Sequence, residues 1–133
     1  GLTEASSVQC VRVDGRCLLP VTVDGTRMWF VLDTGASHSS FSEAGLAALP
    51  GGAERAHATY RRVRTVGGSV IAVREVRDLV LRCDQARCLG VTLPVVSRGP
   101  SPSFPVHGVL GLDVLRQCVL TLDRGRARLA ARG

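Results

Sequence analysis

The stretch Phe30-Val31-Leu32-Asp33-Thr34-Gly35-Ala36-Ser37 decides how this chain is read. Apolar residues run without a break into a carboxylate followed by small, turn-forming residues. In a strand, Met28, Phe30 and Leu32 face one side, and Trp29 and Val31 face the other. Both sides are apolar, which predicts a strand covered on two faces. A carboxylate at the end of such a strand is unfavourable unless it has a partner or a task. The triplet Asp-Thr-Gly occurs once in the 133 residues.

Upstream, Val8 to Val13 reads as one strand, and Asp14-Gly15 is a hairpin signal. Cys17 to Val23 is the next strand, with Pro20 marking an edge or a bulge. Asp24-Gly25 turns it back into Thr26 to Leu32. Downstream, Ser40 and Glu43 have the spacing of a capping box, with Ser40 as N-cap of a helix to about Leu49. Arg61 to Thr65 and Val70 to Val76 look extended, and Gly67-Gly68 between them is a hairpin tip. Leu79 to Cys83 and Leu89 to Val96 form another pair. Arg98 to Pro105 is a proline-rich loop. Gly108-Val109-Leu110-Gly111 follows, then a short helix over Asp113 to Gln117. A hairpin of Cys118 to Leu122 and Arg126 to Ala130 ends the chain. Many short strands and few helices predict an all-β barrel or sandwich, and no linker divides it.

In this combination the chain resembles the retropepsin-like aspartic peptidases, and most closely their bacterial single-lobed branch. Leu32 to Ser37 is similar to their catalytic loop, Arg64 to Ser69 to their flap, and Gly108 to Leu115 to their apolar-apolar-Gly segment and following helix. The resemblance spans about residues 18–130 of one domain, 1–133. It implies a closed, mostly β lobe with one or two short helices. It also implies an aspartic endopeptidase that needs a second lobe, because each lobe brings one Asp-Thr-Gly. The other aspartates lack the Thr/Ser-Gly sequel, so the resemblance implies a homodimer. Asp33, Thr34 and Gly35 take the catalytic positions: Asp33 as half of the dyad, Thr34 as the brace to the opposite loop, Gly35 as the close turn. Ala36, Ser37, Val66, Gly67, Gly68 and Ser69 take the substrate-binding positions, and the Ser37 hydroxyl is placed to donate to the outer oxygen of Asp33. No cofactor or metal is called for. An acidic optimum and inhibition by statine-type mimics are implied as well. A noncatalytic peptide-binding or dimerisation module of the same fold is the alternative.

Composition sets the remaining limits. Apolar residues make up 45% and charged residues 21%, which is globular composition. Aromatics are 4%, so Val, Leu and Ala must build the core. The net charge is +6, with arginine supplying every cation outside histidine. That balance describes a solvated basic surface; with one aromatic, Tyr60, near the Arg55–Arg64 cluster, a nucleic-acid partner is not called. His38 reads as a surface residue and Asp113 as a helix N-terminal carboxylate. Five cysteines weakly favour a periplasmic or extracellular setting. Cys83–Cys88 and Cys10–Cys17 each flank a turn and fit either bridges or buried thiols. No apolar run approaches the roughly 20 residues of a membrane helix. Gly1 in place of Met leaves room for an anchor upstream.

Overall fold

The computed structural model describes residues 8–62, 70–84, 86–97, 106–123 and 126–131. The hairpin of β3 (Arg16–Val23) and β4 (Thr26–Leu32) is its centre. Asp24 and Gly25 both take left-handed φ, 47° and 85°, as a tight two-residue hairpin requires. Asp14-Gly15 turns β2 (Val11–Val13) onto the start of β3 in the same way.

The segment read as one strand from Val8 to Val13 is two. It breaks at Cys10: β1 (Val8–Gln9) pairs with β11 (Arg126–Ala131), and β2 pairs with β3. Hence β1, β11 and β10 (Cys118–Asp123) make a three-stranded sheet of their own. Pro20 falls where β3 has left β2 and not yet met β7 (Val70–Cys83). A residue without an N–H fits that gap at no cost in ladder hydrogen bonds.

The larger sheet has eight strands. Its path runs β5 (Ser40–Phe41), β9 (Gly108–Leu110), β4, β3, β7 and β6 (Ala56–Arg62); β2 joins β3, and β8 (Ala86–Pro94) joins β7. The sequence divides β7 at residues 77–78, but the strand runs on with a register shift between Val76 and Leu79. Asp78 absorbs the extra residue with a φ of 60°.

The capping prediction fails by two residues. Ser40 is paired with Val109 in the sheet, so the chain is not free to turn there. The helix α1 (Glu43–Ala48) starts after Ser42, whose hydroxyl accepts from the Gly45 amide at 3.1 Å and donates to the Val106 carbonyl at 2.7 Å. A second short helix, α2 (Gly52–Arg55), follows directly.

Leu19, Val21, Met28 and Phe30 of the central hairpin are fully buried against Phe41, Leu46, Leu79 and Leu93. Phe30 and Phe41 meet with ring centroids 6.1 Å apart. Truncating either ring would cost about 3–5 kcal/mol. The opposite face of β4 carries a second cluster, Leu18, Val31 and Val109. Both faces of β4 are thus covered, as its composition requires. Cys10 and Cys17 are bridged, with Cα atoms 5.3 Å apart, whereas Cys83 and Cys88 are buried thiols. In the β7–β8 register Cys83 opposes Ala86 and Cys88 opposes Leu81, so these two are not cross-strand partners. No helix among the described residues is long and apolar enough to cross a membrane.

Candidate active site

Strand β4 pairs in parallel with β9, joining Phe30 to Gly108, Val31 to Val109 and Leu32 to Leu110. The ladder continues one step: the Asp33 amide donates to the Leu110 carbonyl at 3.0 Å. The chain then turns. Ala36 N–H donates to the Asp33 carbonyl at 3.2 Å, and Gly35 N–H donates to Asp33 Oδ1 at 2.9 Å. That amide orients the carboxylate, which stands exposed with Thr34 and Gly35 at the end of a buried strand. A Cβ at Gly35 would lie 3.2 Å from Asp33 Oδ1, so glycine leaves the oxygen room.

The second glycine unit is packed onto this loop. Leu112 N–H donates to the Ala36 carbonyl at 2.8 Å, and Asp113 N–H to the Ser37 carbonyl at 3.2 Å. A Cβ on Gly111 would come within 2.7 Å of the His38 carbonyl carbon and oxygen, and 2.8 Å of the Ala36 oxygen. Only glycine allows backbone to meet backbone that closely. The four-residue helix α3 (Leu112–Leu115) begins immediately after it.

Asp113 does more than favour the start of α3. Its Oδ1 accepts from the Ser39 amide at 2.9 Å, the Ser39 hydroxyl at 2.6 Å and the Val114 amide at 2.8 Å. The Ser39 hydroxyl in turn accepts from the Gly111 amide at 2.8 Å. Ser39 is wholly buried, so these bonds satisfy a polar group that would otherwise be costly. The sequence signal for Ser39 is faint, since it sits in a run of polar residues that reads as an ordinary loop.

The predicted residues are brought together in part. Asp33, Thr34, Gly35, Ala36 and Ser37 form one loop; Ala36 is half-buried and the other four are exposed. Among the described residues, the hydrogen-bond partner of the Asp33 carboxylate is Gly35, and the Ser37 hydroxyl is not bonded to it. Val66, Gly67, Gly68 and Ser69 lie outside the described residues. The stem that leads to them is described: β6 and β7 pair from Ala56↔Val76 to Arg62↔Val70. His38 is exposed beside the loop.

Two ionisable groups depart from their usual range. His107, just before β9, accepts the Trp29 amide on Nδ1 at 2.9 Å, and its own amide donates to the Trp29 carbonyl at 2.8 Å. Burial holds its pKa below the usual imidazole value. For Asp24, burial acts to raise the pKa, but the Val80 amide and the Arg55 guanidinium outweigh it and lower it overall. That carboxylate pins the β3–β4 turn to β7 and α2 through bonds of 2.8 Å and 2.6 Å.

No curated protein matches the chain. Among solved structures, it is similar to a retropepsin-like aspartic protease from Rickettsia conorii, at 17% identity and a TM-score of 0.62; the match covers 93% of this chain and 88% of that one. At that identity the likeness shows the fold. The family described as Aspartyl protease matches residues 19–114, which include the Asp33 loop, β9 and the start of α3. The chain belongs to the aspartyl protease family and has a retropepsin-like fold.

Proposed function

We propose that this chain is one half of an aspartic endopeptidase whose active site forms when two copies bring their Asp33 loops together. The observation that carries the reading is the Asp33 loop itself: an exposed carboxylate, oriented by the Gly35 amide, on a backbone locked between β9 and Gly111. A loop fixed on rigid elements is what a preorganised dyad needs.

Two carboxylates about 3 Å apart cannot both ionise, so the pair holds one proton. The ionised Asp33 takes a proton from water as that water attacks the scissile carbonyl. The protonated Asp33 donates to the carbonyl oxygen as negative charge develops there. The carboxyl that took the water's proton then gives it to the leaving nitrogen as the C–N bond breaks, the other carboxylate recovers a proton from a hydroxyl of the gem-diol as the new carboxyl forms, and the pair again holds one proton. Thr34 braces the two loops against each other. Ala36 and Ser37 border the peptide, and the segment containing Val66, Gly67, Gly68 and Ser69 closes over it and excludes water.

Asp33→Asn tests this reading. Cleavage of apolar-rich peptides should be lost while circular dichroism and melting temperature stay near the parent values. Unchanged cleavage by that variant would exclude the mechanism. A folded chain that binds such peptides and never cuts them would assign the site to peptide binding alone.

A further inference from the structure

The register of the large sheet lines up one row of side chains across four strands. Arg27 of β4 pairs with Thr22 of β3, Thr22 with Arg82 of β7, and Arg82 with Arg87 of β8. Residues in register share a face of the sheet. The core lies on the other face, where Val21, Val23, Leu81, Cys83, Ala86 and Cys88 are buried. Thr22 is half-buried, and the three arginines are exposed.

Arg82 and Arg87 stand directly opposite, with Cα atoms about 5 Å apart. Arg27 lies two strands from Arg82, or about 10 Å. Like charges directly opposite each other destabilise a sheet. Arg55, Arg74 and Arg77 hold the carboxylates of Asp24, Glu43 and Glu75, but no arginine of this row is in an ion pair among the described residues. The acids of the adjoining turns do not compensate the row. Asp24 is taken by Arg55 and the Val80 amide, and Asp84 bridges neither Arg82 nor Arg87. The next outward residues along β7 and β8 are Val80 and Leu89, 36% and 63% exposed. The face therefore combines uncompensated guanidinium groups with uncovered apolar side chains.

We propose that this face is a docking surface for an acidic segment of a partner protein. Its carboxylates pair with Arg82, Arg87 and Arg27, and an apolar side chain beside them covers Val80 and Leu89. A guanidinium takes a carboxylate through two parallel hydrogen bonds, so the row selects acids. A nucleic-acid backbone would supply anions but nothing apolar for Leu89. Two apolar side chains are too few to seat the protein in a bilayer. The row spans about 14 Å, the length of four or five residues of extended chain. This surface stands apart from the reading of Asp33 and does not depend on it.

The test uses folded Asp33→Asn protein, so that no probe is cut. A labelled peptide with a five-residue core of Glu and Leu is titrated at low salt and followed by anisotropy, beside a twin with Gln for each Glu. The Glu peptide should bind tighter, and its affinity should fall as salt rises. Replacing both Arg82→Gln and Arg87→Gln should weaken it about fivefold, as exposed ion pairs allow. Arg12→Gln, whose register partner Cys17 lies on the other face, should leave it unchanged. Arg87→Glu sets a carboxylate opposite Arg82, so its melting temperature at low salt should rise while affinity for the Glu peptide falls. Equal binding of the two peptides, or a loss in the double variant no larger than in Arg12→Gln, overturns the proposal. A lower melting temperature for Arg87→Glu would show the row to be compensated already and also overturns it. Phosphatidylglycerol vesicles or duplex DNA bound tighter than the Glu peptide, and lost in the same double variant, would overturn the assignment to a protein segment.

Discussion

The Ser39 hydroxyl donates to Asp113 at 2.6 Å while accepting from the Gly111 amide at 2.8 Å. One buried side chain therefore joins the segment after Asp33 to the start of α3, and the carboxylate at the other end is part of the same clamp. Asp113→Leu should strip the Ser39 amide and hydroxyl of their acceptor. Stranding buried donors costs about 1–3 kcal/mol each. Asp113→Asn keeps an acceptor oxygen and should cost distinctly less. Urea denaturation measures both. Peptide turnover by the leucine variant should lose kcat more than KM, because the Asp33 loop loses its fixed geometry.

Gly111 is held by contact rather than by an unusual dihedral angle. Gly111→Ala places a methyl within 2.7 Å of the His38 backbone. Backbone on both sides leaves no soft partner to move. The expected loss is about 1–3 kcal/mol of stability, in the usual range for overpacking. Thermal melts of the variant against the parent check it.

His107 makes stability depend on pH in one direction. Its Nδ1 must be unprotonated to accept the Trp29 amide, and burial lowers its folded pKa below the ordinary imidazole value of 6.5. The folded state thus binds the proton less readily than the unfolded state. The contribution is complete above pH 6.5 and is lost as pH falls from there through the lowered folded value. His107→Gln removes the titration. Denaturation at pH 7.5 and pH 5 should show the parent losing more stability than the variant on acidification. An equal loss in both would contradict this role for His107.

The Cys10–Cys17 bridge anchors the point where the chain passes from the small sheet to the large one. The loop it closes is short, so its stabilising effect belongs near the lower end of about 2–4 kcal/mol. Reduction, or a double serine variant, should lower the melting temperature by several degrees. Hydrogen exchange should rise first in β1 and β2, which hold two and three residues. The deep core around Phe30 should stay protected.

Much of this was legible in the residues. Phe30 to Ser37 showed a strand covered on both sides that ends in a carboxylate at a tight loop, because alternation and turn chemistry are local. Asp14-Gly15 and Asp24-Gly25 marked their hairpins for the same reason. The misreadings have long-range causes. Ser40 has the composition of an N-cap, but its pairing with Val109 keeps it in the sheet and moves the cap to Ser42. Val8 to Val13 looks uniform, yet its halves are claimed by different sheets. Asp78 resembles a turn residue and is instead a bulge inside one long strand. Ser39 matters only because Gly111 and Asp113, distant in sequence, surround it.

The requirement for two copies of Asp33 is open to a mixing experiment. Parent protein is equilibrated with increasing excess of folded Asp33→Asn protein at constant total concentration, and cleavage is measured per parent chain. If each active site needs an Asp33 from both copies, mixed pairs are inactive, and activity per parent chain falls in proportion to the parent fraction. Activity per parent chain that stays constant, under conditions where subunit exchange is verified, would contradict a shared active site.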